Sequence, residues 1–286
     1  MTSGNIHEFF RTAFGYEVTP FDYQARLAGD KDGTKCESKL INIPTGCGKT
    51  GAVVLAWLWN RVALQRADWP RRLVYCLPMR TLVEQTEKNV REWLNNLGNL
   101  EWKPGNDHNN RIGVHILMGG EEREPDPWDI YPERDAILIG TQDMLVSRAL
   151  NRGYGMSRYR WPMHFGLLNN DALWIMDETQ IMGVGVETSA QLNGFRHAEK
   201  SAARLGCRTW WMSATLDDAQ LATVDHPRPA GGWPAIKLED EDLAMPAVRE
   251  RFNAKKKIAP APLSIDATTK DSANHPLQKK PRIPIL

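Results

Sequence analysis

Cysteine is scarce in this chain: four in 286 residues, at Cys36, Cys47, Cys76 and Cys207. No C-x-x-C pair occurs and no histidine stands at a zinc-binding interval, so neither a disulfide framework nor a structural zinc site is expected. Charge of one sign is also lacking. Lys plus Arg total 36 against 35 Asp plus Glu, a net charge of +1. No global basic field announces nucleic acid, and any such contact has to come from local groups. The longest apolar run, around Ala52 to Trp59, is far too short to span a bilayer. The opening residues have neither a basic n-region nor an apolar h-region, so no secretion signal is expected. These absences predict a cytoplasmic globular protein with no membrane partner and no internal repeat.

What is present is concentrated in one stretch. Leu40-Ile41-Asn42-Ile43 reads as a buried strand, Pro44-Thr45-Gly46-Cys47-Gly48 as a glycine-bearing loop, and Lys49-Thr50-Gly51-Ala52-Val53-Val54-Leu55 as the start of an apolar helix. Such an order builds a phosphate-binding loop. The strand fixes the loop, the glycines let backbone N–H groups turn inward, and the helix N-terminus adds its positive dipole end. Thr45, Gly46, Cys47, Gly48, Lys49 and Thr50 are therefore the candidate nucleotide-binding residues. Lys49 can reach the β- and γ-phosphates of ATP, and the Thr50 hydroxyl can ligate Mg²⁺. The plain alternative, a glycine turn beside a solvated lysine, is outweighed by the strand and helix on either side. One departure from the general G-x-x-x-x-G-K-[ST] pattern stands out, because Ile43 occupies the place of its first glycine. Cys47 reads either as a thiol activated at a helix N-terminus or, more simply, as a small residue tolerated in the loop. Cys76, inside an apolar run, reads as buried filler.

Short apolar runs alternate with amphipathic stretches from about Lys39 to Leu216. Strands are expected at Leu40–Ile43, Arg72–Leu77, Ile112–Leu117, Ala136–Gly140, Leu173–Met176 and Arg208–Met212, each near-continuously apolar, as parallel strands covered on both faces are. Helical patterns at Gly51–Arg66, Thr81–Leu97, Gln142–Asn151 and Val186–Leu205 separate them. The alternation predicts an open α/β sheet with ligand-binding residues at the carboxyl ends of its strands. After His226 the texture changes. Nine of the 18 prolines fall there, with many lysines, and only Glu239–Phe252 could form a short helix. Residues 1–225 are therefore expected to form the folded domain and 226–286 a linker or tail.

Two further strand ends carry chemistry. Trp174-Ile175-Met176-Asp177-Glu178-Thr179-Gln180 places two carboxylates after an apolar run. Beside a phosphate loop, Asp177 can hold Mg²⁺, usually through water, and Glu178 is placed to orient or deprotonate the attacking water. Lys49, Asp177 and Glu178 are thus the candidate catalytic set. Without the phosphate loop, the same Asp-Glu pair would read equally well as an ordinary acidic turn. Trp210-Trp211-Met212-Ser213-Ala214-Thr215 likewise ends in small hydroxyl residues, a weak signal alone.

In order and spacing, these motifs resemble the first RecA-like domain of superfamily 2 helicases, whose PTGxGKT loop also lacks the first glycine. The resemblance covers Phe21 to Thr215 and implies a P-loop NTPase of three layers with a mainly parallel central sheet. It implies that Gln24, in Phe21-Asp22-Tyr23-Gln24, hydrogen-bonds adenine, an edge that an amide can pair with on both its donor and its acceptor. It implies that Pro78-Met79-Arg80-Thr81 and Gly140-Thr141-Gln142 offer helix N-termini to a nucleic-acid backbone, so that Arg80, Thr81, Thr141 and Gln142 are contact candidates. Gln180, Ser213 and Thr215 would couple nucleotide state to nucleic-acid grip. The interleaved Arg148–Trp161 stretch (Arg152, Tyr154, Arg158, Tyr159, Arg160) reads better as a surface connection than as a base-stacking strip. The tryptophans read as core.

Within that superfamily, Asp177–Gly185 looks most like the helicase–nuclease of type I CRISPR systems, as do Asn151–Met156 and Leu167–Asp171. That likeness implies single-stranded DNA and an RNA-guided surveillance complex as partners. Two family features are missing from the 286 residues. There is no Gln-x-x-Gly-Arg-x-x-Arg segment, which in the family sits on a second RecA-like domain and supplies arginine fingers. Nor is there a His-Asp dipeptide for the metal-dependent nuclease domain. The chain accordingly looks like the front of a longer or truncated protein that needs the second domain in cis or trans. Two other readings stay open: a stand-alone RecA-like module or one subunit of a split helicase, and a small-molecule kinase, which the in-order Gln24, Ser213 and Thr215 motifs disfavour.

Overall fold

The computed structural model describes residues 5–16, 19–29, 35–102, 112–119, 128–198, 206–215 and 218–252. Seven strands form one sheet: β1 Lys39–Asn42, β2 Arg72–Leu77, β3 Gly113–Leu117, β4 Ala136–Thr141, β5 Ala172–Met176, β6 Cys207–Ser213 and β7 Ala235–Lys237. Their order is β3-β4-β2-β5-β6-β1-β7, and every pairing is parallel. All six expected strands are present, and parallel pairing explains why their sequences are apolar throughout: both faces are covered.

The period-2 alternation of side chains sorts each strand between two cores. Leu73, Tyr75 and Leu77 of β2 join Ile41, Ile139, Ile175 and Met212 on one face. That face is closed by α1 Ile6–Phe14, α2 Asp22–Ala28, α3 Lys49–Leu58 and α4 Arg80–Asn96. Val74 and Cys76 join Leu138, Trp174, Met176 and Trp211 on the other. There α5 Gln142–Ala149, α6 Trp161–Asn169 and α7 Val184–His197 complete the third layer. The tryptophans act as the sequence predicts. Trp57, Trp174, Trp210 and Trp211 are buried, each indole N–H finding an acceptor: the carbonyls of Pro70, Leu168 and Glu37, and the Ser189 hydroxyl. All four cysteines are buried and none is in a disulfide. No described helix is long and apolar enough to cross a membrane.

Three differences from the sequence reading have local causes. Helix α6 was not expected. Pro162 sits in its first turn and Gly166 interrupts it, which hides the helical period. Arg148, read with the surface connection, is buried, its guanidinium donating to the Met144 carbonyl at 2.6 Å, whereas Tyr154 and Tyr159 are exposed.

The third difference is the boundary at 225, which falls short. The stretch expected as linker or tail adds β7 at the sheet edge, then α8 Asp240–Ala244 and α9 Pro246–Phe252. Helix α8 is fixed by its own start, where Asp242 Oδ2 accepts from the Glu239 N–H at 3.1 Å. Residues 253–286 lie outside the described residues, as does 199–205 of the helix expected to reach Leu205.

Candidate nucleotide site

The loop between β1 and α3 follows from its two glycines. Gly46 and Gly48 have φ of 85° and 72°, a region L side chains avoid. At Gly48 a Cβ would also come within 2.9 Å of Gln24 Nε2. Gly48 is the N-cap of α3 and offers no side chain, so the first N–H groups of α3 are left for a ligand. The Lys49 side chain is buried and folded back along the loop, its Nζ donating to the Ile43 carbonyl at 3.1 Å.

Helix α2 braces this loop from outside. The Tyr23 hydroxyl donates to the Cys47 carbonyl at 2.5 Å. Gln24 Nε2 donates to the Gly48 carbonyl at 3.2 Å, while its Oε1 accepts from the Phe21 N–H at 3.0 Å. Gln24, expected to meet adenine, is therefore buried and holds the loop in this structure, with one amide hydrogen and one lone pair left over. Cys47 is packed away under this brace, which favours the plain reading of that thiol.

The α2 brace is in turn anchored by α8. Asp242, whose side chain is fully buried, accepts from the Tyr23 N–H at 2.9 Å and from Arg26 Nη2 at 2.8 Å. Arg26 also pairs with Asp22 at 2.7 Å and with Glu239 at 2.5 Å.

Asp177 lies just past the end of β5. Desolvation dominates its chemistry: burial pushes its carboxyl up to about 6, opposed by a Tyr75 hydrogen bond and by the Lys49 charge. Oδ2 accepts from the Tyr75 hydroxyl at 2.8 Å, and Oδ1 accepts from the Glu178 N–H at 2.8 Å. Among the described residues Asp177 has no ion-pair partner, and no cluster of three or more His, Cys, Asp or Glu side chains could hold a metal. One buried carboxylate and one hydroxyl, Thr50, form a hard oxygen donor set too sparse for a cage. That fits Mg²⁺, which keeps several waters and binds through one or two carboxylates plus substrate phosphates.

Beyond Asp177 the chain turns sharply. Glu178 has φ 53° and ψ 45°, unusual for a residue with a long side chain and costing on the order of 1 kcal/mol. Its Oε2 accepts a short hydrogen bond from Gln180 Nε2. Gln180 Oε1 accepts from the Ser213 hydroxyl at 2.8 Å, and Ser213 Oγ accepts from the Thr215 N–H at 3.0 Å. The structure thus joins Glu178, Gln180, Ser213 and Thr215 in one path.

The other strand ends present helix starts. Met79 precedes α4 in extended conformation without a side-chain cap, and Arg80 and Thr81 are exposed there. Thr141, buried, precedes α5, also uncapped. Gln142 turns its Oε1, buried and unpartnered, toward α7, where a Cβ on Gly185 would come within 2.6 Å of it. Tyr75 was missed by sequence reasoning, because in a buried strand it reads as one more apolar residue.

An all-parallel three-layer sheet with a phosphate-loop geometry after β1 and an acidic pair after β5 defines a RecA-like P-loop domain. Residues 29–224 match the DEAD/DEAH box helicase family, and the chain belongs to that family. No curated protein matches it in sequence. Among solved structures it is similar to Mss116p bound to ssRNA and AMP-PNP, with TM-score 0.51 and 17% identity over 81% of this chain and 42% of that one. The DUF1998 helicase MrfA bound to DNA gives TM-score 0.53 and 16% identity over 85% and 28%. S. cerevisiae dbp5, bound to nup159 and gle1, gives 0.50 and 16% over 82% and 52%. The chain therefore spans between 28% and 52% of these relatives' lengths.

Proposed function

We propose that this chain is the ATP- and Mg²⁺-binding motor domain of a CRISPR-associated DNA helicase, which in the intact enzyme couples ATP hydrolysis to translocation on single-stranded DNA. The observation that carries the motor reading is the path from Glu178 through Gln180 to Ser213 and Thr215. It links Glu178, the carboxylate assigned to the attacking water, to the end of β6. Lys49 and the uncapped N–H groups of α3 bind the triphosphate, and Gln24 faces the base. Thr50 and Asp177 would hold Mg²⁺, which would offset the charge on the triphosphate. Glu178 orients the attacking water and takes its proton.

Nucleic acid lies along the ends of β2 and β4, where Arg80, Thr81, Thr141 and Gln142 open α4 and α5 and backbone N–H groups meet phosphates. The DNA substrate and an RNA-guided surveillance complex follow from the likeness of Asp177–Gly185, Asn151–Met156 and Leu167–Asp171 to the type I CRISPR helicase–nuclease. Arginine fingers come from a second RecA-like domain, in cis or trans; such groups contribute on the order of 10³–10⁵ in turnover, so the chain alone hydrolyses ATP slowly. The test is steady-state ATPase with and without a RecA-like partner bearing the arginine segment, on single-stranded DNA and RNA of one sequence. Stimulation by DNA is expected. Equal stimulation by RNA, or none, contradicts the DNA reading.

A further inference from the structure

Two buried polar groups meet beneath the nucleotide loop, Tyr75 and Asp177. Tyr75 is fully buried, packed among the apolar side chains of the α1–α4 face. A phenol in that position needs a partner for its hydroxyl, and it donates to Asp177 Oδ2 at 2.8 Å. A ring on β2 therefore fixes Asp177, the one carboxylate of the oxygen donor set described above. The phenol O–H is the donor in this contact and the carboxylate oxygen the acceptor.

Both Asp177 oxygens are thereby oriented, Oδ2 by the Tyr75 phenol and Oδ1 by the Glu178 N–H. Each keeps a second lone pair for a metal or for its water. Hydrogen-bond partners behind a metal ligand fix its rotamer, and losing one typically costs 10–100-fold in metal affinity, on the order of magnitude.

We propose that Tyr75 is a positioning residue for the nucleotide's Mg²⁺, holding the Asp177 carboxylate in the orientation that would ligate it. The inference rests on the nucleotide-site reading above. Tyr75→Phe keeps the ring and removes only the donor. Binding of a fluorescent ADP analogue is to be titrated with Mg²⁺, and repeated in EDTA, for the full chain and this variant. The half-saturating Mg²⁺ concentration should rise about tenfold, while affinity in EDTA stays the same. In an Asp177→Asn background, Tyr75→Phe should change nothing further.

An unchanged Mg²⁺ dependence, or an equal loss in EDTA, overturns the inference and leaves the nucleotide site standing. Failure of the unsubstituted chain to bind nucleotide overturns both. A ring-fluorinated tyrosine in place of Tyr75 gives a second measurement that needs no loss of the hydroxyl. Its fluorine resonance should move when Mg²⁺ reaches nucleotide-bound protein and return with EDTA; a fixed resonance overturns the inference.

Discussion

The Ser213 hydroxyl donates a 2.8 Å hydrogen bond to Gln180 Oε1, joining the end of β6 to the turn that follows β5. Because Gln180 Nε2 simultaneously donates to Glu178, a change in what Glu178 touches is felt at Ser213. Ser213→Ala should leave nucleotide affinity within about threefold and lower nucleic-acid-stimulated turnover by about tenfold, the scale of one hydrogen bond. Comparing ATPase rates with and without single-stranded DNA checks this. A uniform loss in both would place Ser213 in structure rather than coupling.

Glu178 is half-buried and shaped by an unusual backbone. Glu178→Gln keeps its size and its ability to accept from Gln180 while removing the base. Nucleotide binding should persist, and turnover should fall by about 10²–10⁴. Single-turnover hydrolysis measures it; a rate equal to the unsubstituted chain assigns the base elsewhere.

Asp242 and Arg26 lie far apart in sequence and meet at 2.8 Å. Asp242→Ala strands the Tyr23 N–H and removes the buried end of the Arg26 pair, a loss of about 2–3 kcal/mol. A thermal midpoint lower by roughly 4–10 °C is expected for a domain of this size. No shift would mean that α8 does not anchor the nucleotide brace.

Asp129 gives a pH signature. Burial alone would raise its carboxyl, but hydrogen bonds from His164, at 2.7 Å, and from Arg160 outweigh burial and hold it at about 2, below its ordinary 3.8. A lowered carboxylate stabilises the fold fully above the ordinary value and loses that contribution as pH falls toward the folded one. Asp129→Asn should therefore cost about 2 kcal/mol at neutral pH, with the gap closing as pH falls from about 4 toward 2. Urea midpoints of the two proteins across that window decide it.

The sheet was legible because its central strands are short apolar runs punctuated by glycine and polar turns, and parallel strands must look that way. Strand β7 was not. Three residues at an edge, with Ala235 and Lys237 exposed, carry no pattern beside Pro234. In the candidate site, the loop, Asp177 and Glu178 were readable because each stands at the end of such a run. Tyr75 and Asp242 were not, since a buried phenol looks like core and a pair such as Arg26 and Asp242 leaves no periodic trace. Gln24 stands out in the sequence as a candidate, but its contact with the Gly48 carbonyl does not, because that depends on how α2 packs on the loop.

The central claim is that Lys49, at the buried start of α3, holds a triphosphate. Equilibrium binding of a fluorescent ATP analogue with Mg²⁺, on the intact chain and on Lys49→Ala, tests it most directly. Saturable binding by the former is expected, and a loss of at least about a hundredfold in the latter, the scale of a desolvated charge-assisted contact, with circular dichroism unchanged. Equal binding by both, or none by the intact chain, would contradict it.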